Sequence, residues 1–253
     1  MNYNCIKNMT IPKKITPDHL KDTIVEIRFD SVSSLDLMPG IALALLTPLG
    51  FTYTPVQEQS FDLGVGQGQQ ISIEGGIGFF VKDNVRIQFI RNVIAFNCIE
   101  GKYLGWNDYY KIIKDVIQLF SSKGFIKSFN RVAIRYISEF ESTDILDKIK
   151  GRFDLEETSV GLSLQNSVVR LAKEDGNIKI FVTLTNGVKK ISQVEGHDIE
   201  TTSFFDVNVF ENLAPNSDFS SLEKSLENVH LKQKESFFET INEDFKKSLR
   251  PEY

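Results

Sequence analysis

The side chains in this sequence best placed to do chemistry are arginines and carboxylates that alternate with apolar residues. Glu26 and Arg28 alternate with Val25, Ile27 and Phe29, and Arg131, Arg135 and Glu139 with Val132, Ile134 and Tyr136. Arg86 and Gln88 do the same within residues 84–90. A spacing of two puts such polar residues on one face of a β-strand. If strands 23–30 and 130–140 are neighbours, Arg28 and Arg135 approach each other about a pseudo-twofold. Two planar guanidinium forks there suit a carboxylate or phosphate, which they bind bidentately. The predicted ligand-binding set is Arg28, Arg135, Glu26, Arg86 and Arg131. The competing reading is a solvated sheet face laced by ion pairs such as Glu26–Arg28–Arg135–Glu139, because antiparallel sheets commonly leave one face wet.

Other motifs carry less. The run Gly64-Val-Gly-Gln-Gly68 lacks the Lys-Ser/Thr of a phosphate loop and does not lead from strand into helix, so it reads as a hairpin loop. His19, His197 and His230 stand apart, without metal-ligand spacing to cysteine or carboxylate. No nucleophile motif is present, so no catalytic residue, metal or cofactor is assigned. Trp106, with Tyr103, Tyr109 and Tyr110, could form a base-stacking platform or pack a helix onto a sheet.

The bulk numbers describe an ordinary globular protein. Of 253 residues, 41% are hydrophobic and 25% charged, with twenty Phe against one Trp. A net charge of −5 does not support a whole-surface grip on nucleic acid. The two cysteines, Cys5 and Cys98, make no disulfide framework, so a reducing cytoplasm is expected. Met1 to Lys14 is polar and lacks an apolar signal core. No run reaches the roughly 18 apolar residues of a membrane helix.

The elements that must position these residues follow from periodicity. Residues 1–20 read as an arm and 21–253 as one domain of two similar halves, 21–125 and 126–253. Strand 23–29 precedes a helix ending at Gly50, a strand over 51–56, and a meander over 70–74, 78–82, 84–90 and 93–99. A helix capped near Asn107 or Asp108 carries Tyr109, Ile112, Ile113, Val116, Ile117, Leu119 and Phe120 and stops at Gly124. The second half opens on strand 130–140, then a short helix over 143–150. Strands follow over 159–165, 167–172, 177–185 and 202–210, with turns at Asp175-Gly176 and Asn186-Gly187. The last helix, about 217–249, has a capping box at Ser220-x-x-Glu223 and an apolar face including Phe237, Ile241 and Phe245. At about 1.5 Å per residue it extends roughly 50 Å, so it either kinks near Val229–Lys234 or protrudes into a partner. Phe237, Ile241 and Phe245 are the predicted interface residues if it dimerises.

Val25-Glu-Ile-Arg-Phe29 and Val132-Ala-Ile-Arg-Tyr136 share a V-x-I-R-aromatic pattern. The echo reads either as an internal duplication or as a common strand pattern. Thr23-Ile-Val-Glu-Ile-Arg-Phe29, Tyr103-Leu-Gly-Trp106, Arg131-Val-Ala-Ile-Arg-Tyr136 and the Phe-rich C-terminal helix together resemble a sporadically distributed family of uncharacterised bacterial proteins. That family shows a P-I-V-E…I-R-F opening, Y-x-x-W before a helix, and a mid-chain R-Y-x-N. Here the opening is compressed, and Ser138 stands in the asparagine's place. The resemblance implies no catalytic residues, and the family's patchy distribution implies a link to mobile or defence-associated genes.

The expected fold is α+β: a curved, mainly antiparallel sheet of two pseudo-repeated strand–helix–meander–helix halves, with the helices on one face. The expected function is a non-enzymatic binding or sensor subunit for a small anionic ligand or a protein partner, working as a homodimer or in a larger complex. The alternative is a nucleic-acid- or nucleotide-processing enzyme whose carboxylates gather only in the fold.

Overall fold

The computed structural model describes residues 11–32, 34, 37–55, 78–98, 102–151, 167–189 and 201–253. The predicted strands over 70–74 and 159–165, the glycine run 64–68, Cys5 and His197 lie outside the described residues.

The first half contains β1 (Leu20–Ser31), α1 (Met38–Leu46) with a 3-10 turn after it (Thr47–Leu49), β2 (Thr52–Thr54), β3 (Phe79–Lys82), β4 (Val85–Ile90), β5 (Val93–Cys98) and α2 (Trp106–Ser122). The second contains β6 (Ile126–Glu141), a 3-10 turn (Ile145–Lys148), β7 (Val168–Asp175), β8 (Ile178–Lys189), β9 (Thr201–Ser217), α3 (Phe219–Thr240) and α4 (Glu243–Ser248). Among the described residues the strands form one sheet, ordered β2-β3-β4-β5-β1-β6-β9-β8-β7. Each neighbouring pair is antiparallel.

β1 and β6 are the two central neighbours, and alternation drives their pairing. Val25, Ile27 and Phe29 are fully buried, as are Val132 and Ile134 on β6, so both strands must turn these side chains to the same core. The helices close that core with aromatic contacts. Phe120 of α2 meets Phe89 of β4, with ring centroids 5.1 Å apart; Phe237 of α3 meets Phe205 of β9 at 4.9 Å; Phe245 of α4 meets Phe140 of β6 at 5.2 Å. The Tyr109 hydroxyl donates to the Phe96 carbonyl at 2.7 Å, tying α2 to β5. Among the described residues no helix is long and apolar enough to cross a membrane.

Several boundaries differ from the sequence-based expectation, each for a tertiary reason. The last helix breaks at Ile241, not near Val229–Lys234. Ile241 is extended and bridges Ile149, while the Lys150 amide donates to the Thr240 carbonyl and the Asn242 amide to the Lys148 carbonyl, each at 2.7 Å. Asn242 then caps α4 through the Phe245 amide. The N-cap of α3 is Asp218, which accepts from the Ser221 amide at 2.9 Å, rather than Ser220. Glu223 pairs instead with Lys114 of α2 at 2.6 Å. α2 starts on Gly105, not on Asn107 or Asp108. Asn186-Gly187 is not a turn. Gly187 has φ +69° within β8, where the register to β9 shifts between Thr185 and Val188, the mark of a bulge. The predicted helix over 143–150 is only the short 3-10 turn, capped by Asp144.

Candidate functional site

Two regions gather polar chemistry, one on each face of the sheet. On the face away from Val25, Ile27 and Phe29, the β1–β6 register opposes Ile24 to Arg135 and Arg28 to Arg131. The arginine pair across the two central strands is therefore Arg28–Arg131, not Arg28–Arg135. Arg135 is committed elsewhere: its Nε and Nη2 donate to the two carboxylate oxygens of Asp206 on β9 at 3.0 and 2.8 Å. That bidentate contact outweighs burial, which acts the other way, and holds the guanidinium above its ordinary pKa.

The remaining predicted residues divide. The Arg131 guanidinium lies 3.6 Å from the centroid of Phe210, which stacks on Phe181. Burial, and then the charge of Arg28, lower its pKa, with Glu26 opposing. Arg86 sits over Phe79 at 4.3 Å, too far along the sheet from Arg28 to share one small anion with it. The buried Nε atoms of Arg86 and Arg131 and the Oδ1 of Asn208 have no hydrogen-bond partner among the described residues. The face thus carries two arginines lying on aromatic rings, Arg86 and Arg131, beside ion pairs that include Arg135–Asp206 and Lys21–Glu139.

Phe237, Ile241 and Phe245 are 8%, 0% and 8% exposed. Their side chains are spent on the chain's own core, against Phe205, Phe238 and Phe140. A burial this complete follows from the break at Ile241, which folds α4 back onto β6.

The second region is a cavity of about 470 Å³ between the segment 12–18, the start of α2 and the middle of α3. Its apolar wall includes Ile15, Leu20, Leu104, Phe237 and Phe238. Its polar wall comes from β6, where Tyr136 and Ser138 interrupt the buried series Val132, Ile134, Phe140, and from α3, where His230, Gln233 and Lys234 interrupt Leu222, Leu226, Val229, Phe237. Strand and helix turn polar at the same level, so the core cannot close there and a cavity remains. Segment 12–18 is pinned across it. The Lys13 amide donates to the Glu252 carbonyl at 2.7 Å, the Glu252 amide to the Lys14 carbonyl at 2.9 Å, and the Thr16 amide to the Leu249 carbonyl at 2.9 Å.

The electrostatics of this wall follow from burial. The hydroxyls of Tyr103 and Tyr136 lie 2.8 Å apart, and burial pushes both well above the ordinary tyrosine pKa, so the pair stays neutral. His230 stacks on Trp106, with centroids 3.8 Å apart and planes within 10°. Burial first, and the charge of Lys234 second, lower its pKa to about 3, so the imidazole is neutral near pH 7. Burial also lowers Lys234. Among the described residues, neither Lys234 nor the 3% exposed Gln233 has a side-chain hydrogen-bond or ion-pair partner.

The sequence reading reached Trp106 and Tyr103 as a possible platform, but Ser138, Gln233 and Lys234 were missed. The available signal was a polar residue at an inward position of an apolar series, in both β6 and α3. Among the described residues no group of three His, Cys, Asp or Glu side chains converges as a metal site. No protein-family model matches this chain, and no curated protein matches it.

Proposed function

We propose that this protein binds a small molecule without transforming it, and that the cavity between segment 12–18, α2 and α3 is the binding site. The observation carrying this reading is the cavity itself. It has the volume of a small-molecule site, a largely apolar wall and a few convergent polar groups. The polar groups include a neutral histidine, an amide, hydroxyls, lysine ammoniums and one carboxylate, a set that recognises a ligand. No hydroxyl among them is paired with a base in nucleophile geometry.

Native mass spectrometry of the protein purified gently from its own host tests this. A bound small molecule is expected in wild type and not in Ser138→Phe, whose ring occupies the cavity. Wild type that carries no small molecule, and whose melting midpoint no compound in a broad metabolite panel raises, would overturn the reading.

A second reading rests on the register of β1 and β6. Arg28 and Arg131 face each other, and like charges directly opposite across strands repel. An anion or an acidic protein partner docked there would relieve the repulsion, with Phe210 and Phe181 as the apolar part of the contact. In that reading the protein is a homodimer or a subunit of a larger assembly, and the family resemblance implies its link to defence-associated genes. The two-half plan belongs with it. In the strand order, β5-β4-β3 flank β1 as β9-β8-β7 flank β6, which supports a duplication; the contacts of Phe120, Phe237 and Phe245 with inward-facing rings of the sheet support helices on one face. Arg28→Glu with Arg131→Glu should abolish capture of an acidic peptide probe and leave the native mass of the small-molecule complex unchanged.

A further inference from the structure

We infer that the ligand of the cavity is an amphipathic monoanion, a single carboxylate or similar acid on an apolar body, with its acid held by the Lys234 ammonium and the Gln233 amide. This deepens the binding-site reading above and rests on it.

Three observations point to an anion. The first is charge. Lys13, Lys14 and Lys234 border the cavity against one carboxylate, Asp18, whose Oδ1 already accepts from the Leu20 amide at 3.0 Å. The second is the lack of a counter-charge. Lys234 pairs with no carboxylate among the described residues, although its neighbour Lys232 bridges both Asp175 and Glu235 at 3.1 Å. A partly buried ammonium without a partner is costly to the empty protein, and an incoming carboxylate removes that cost. The third is His230. Burial keeps its ring neutral, the positive field of Lys234 acts in the same direction, and the ring can accept or donate one hydrogen bond beside the ammonium.

The rest of the wall argues for an apolar body with only one polar end. Ile15, Leu20, Leu104, Phe237 and Phe238 offer no polar side-chain atom, and the Tyr103 and Tyr136 hydroxyls already bond each other, which leaves Ser138 alone among the hydroxyls; a sugar or a polyphosphate would leave most of its hydroxyls or charges unmatched. Trp106 lines the cavity and is already stacked within the chain, on His230 at 3.8 Å and on Tyr110 at 5.4 Å. As the one tryptophan of the chain, it reports on cavity occupancy.

The test uses decanoate and 1-decanol, which share a chain and differ in the acidic head, with Trp106 fluorescence as the readout. Decanoate is expected to bind wild type at least tenfold more tightly than 1-decanol. Lys234→Met should weaken decanoate about tenfold and leave 1-decanol unchanged, while Lys234→Arg keeps the preference. In the empty protein, Lys234→Met should also raise the melting midpoint, because it removes an unpaired desolvated cation; a lysine holding the structure together would lower it. Equal binding of both probes, unaltered in Lys234→Met, overturns the inference and leaves the cavity as a binding site. Failure of both probes to bind wild type, together with no ligand in the native mass spectrum, overturns the binding-site reading itself.

Discussion

Arg28 and Arg135 carry the same sequence pattern and have different physical situations. Arg135 is the only partner of Asp206 among the described residues, through two charge-assisted hydrogen bonds. Its removal strands a carboxylate that is 16% exposed. Arg135→Ala should therefore lower stability by roughly 1–3 kcal/mol. Arg28→Ala, which relieves repulsion with Arg131, should leave stability unchanged within about 0.5 kcal/mol or raise it slightly. Urea titration of the two variants measures both; equal losses would show that the register argument is wrong. His230 sets a pH dependence at the same scale. Its folded pKa is depressed from 6.5 to about 3, so the unfolded chain takes up the proton first as pH falls. The contribution is complete above pH 6.5 and is lost progressively down to about pH 3. From pH 7 to pH 5 the stability advantage of wild type over His230→Gln should shrink by about 2 kcal/mol. A gap independent of pH would mean that the ring is not desolvated.

At the scale of elements, the caps decide where helices start. Asp218 accepts both the amide and the hydroxyl of Ser221, at 2.9 and 2.7 Å. Asp218→Ala should destabilise the protein by about 1 kcal/mol, while Ser220→Ala should cost little. Chemical denaturation of the pair separates the two assignments, and a larger loss from Ser220→Ala would restore the sequence-based cap. The break between α3 and α4 is likewise an element-scale event, since a strand-like bridge from Ile149 to Ile241 outcompetes one more helical turn. Phe245, placed by that break against Phe140, is core. Phe245→Asp buries an unpaired charge there and should cost about 3–5 kcal/mol, seen as loss of the cooperative melt.

For the whole molecule, the sheet is organised from its centre outwards. β1 and β6 pair across more than 90 residues of sequence, and each has a further strand on its outer side. β7 lies at one edge, and most of its residues are exposed. Opening that edge exposes little apolar surface, whereas opening the centre unfolds the core. Hydrogen exchange should be slowest in β1 and β6 and fastest in β7; protection in β7 equal to that of the centre would indicate a partner covering the edge.

Much of this was legible along the chain, because strands and helices obey local periodicities. The alternation in 23–29 and 130–140, the stripe from Tyr109 to Phe120 and the stop at Gly124 each follow from side-chain spacing and backbone preference, which need no distant neighbour. The antiparallel character of the sheet was legible too, from short strands joined by turn residues such as Asp175-Gly176. Tertiary structure alone decided the rest. Whether Arg28 meets Arg131 or Arg135 depends on the register of two strands far apart in sequence, and a shift of one residue changes every partner. Asp206 lies 71 positions from the arginine it holds, and no spacing rule connects them. The cavity arises where a polar break in β6 comes level with a polar break in α3. Each break is an ordinary Ser138 or Gln233 in its own element, and only packing the helix over the strand makes the two coincide.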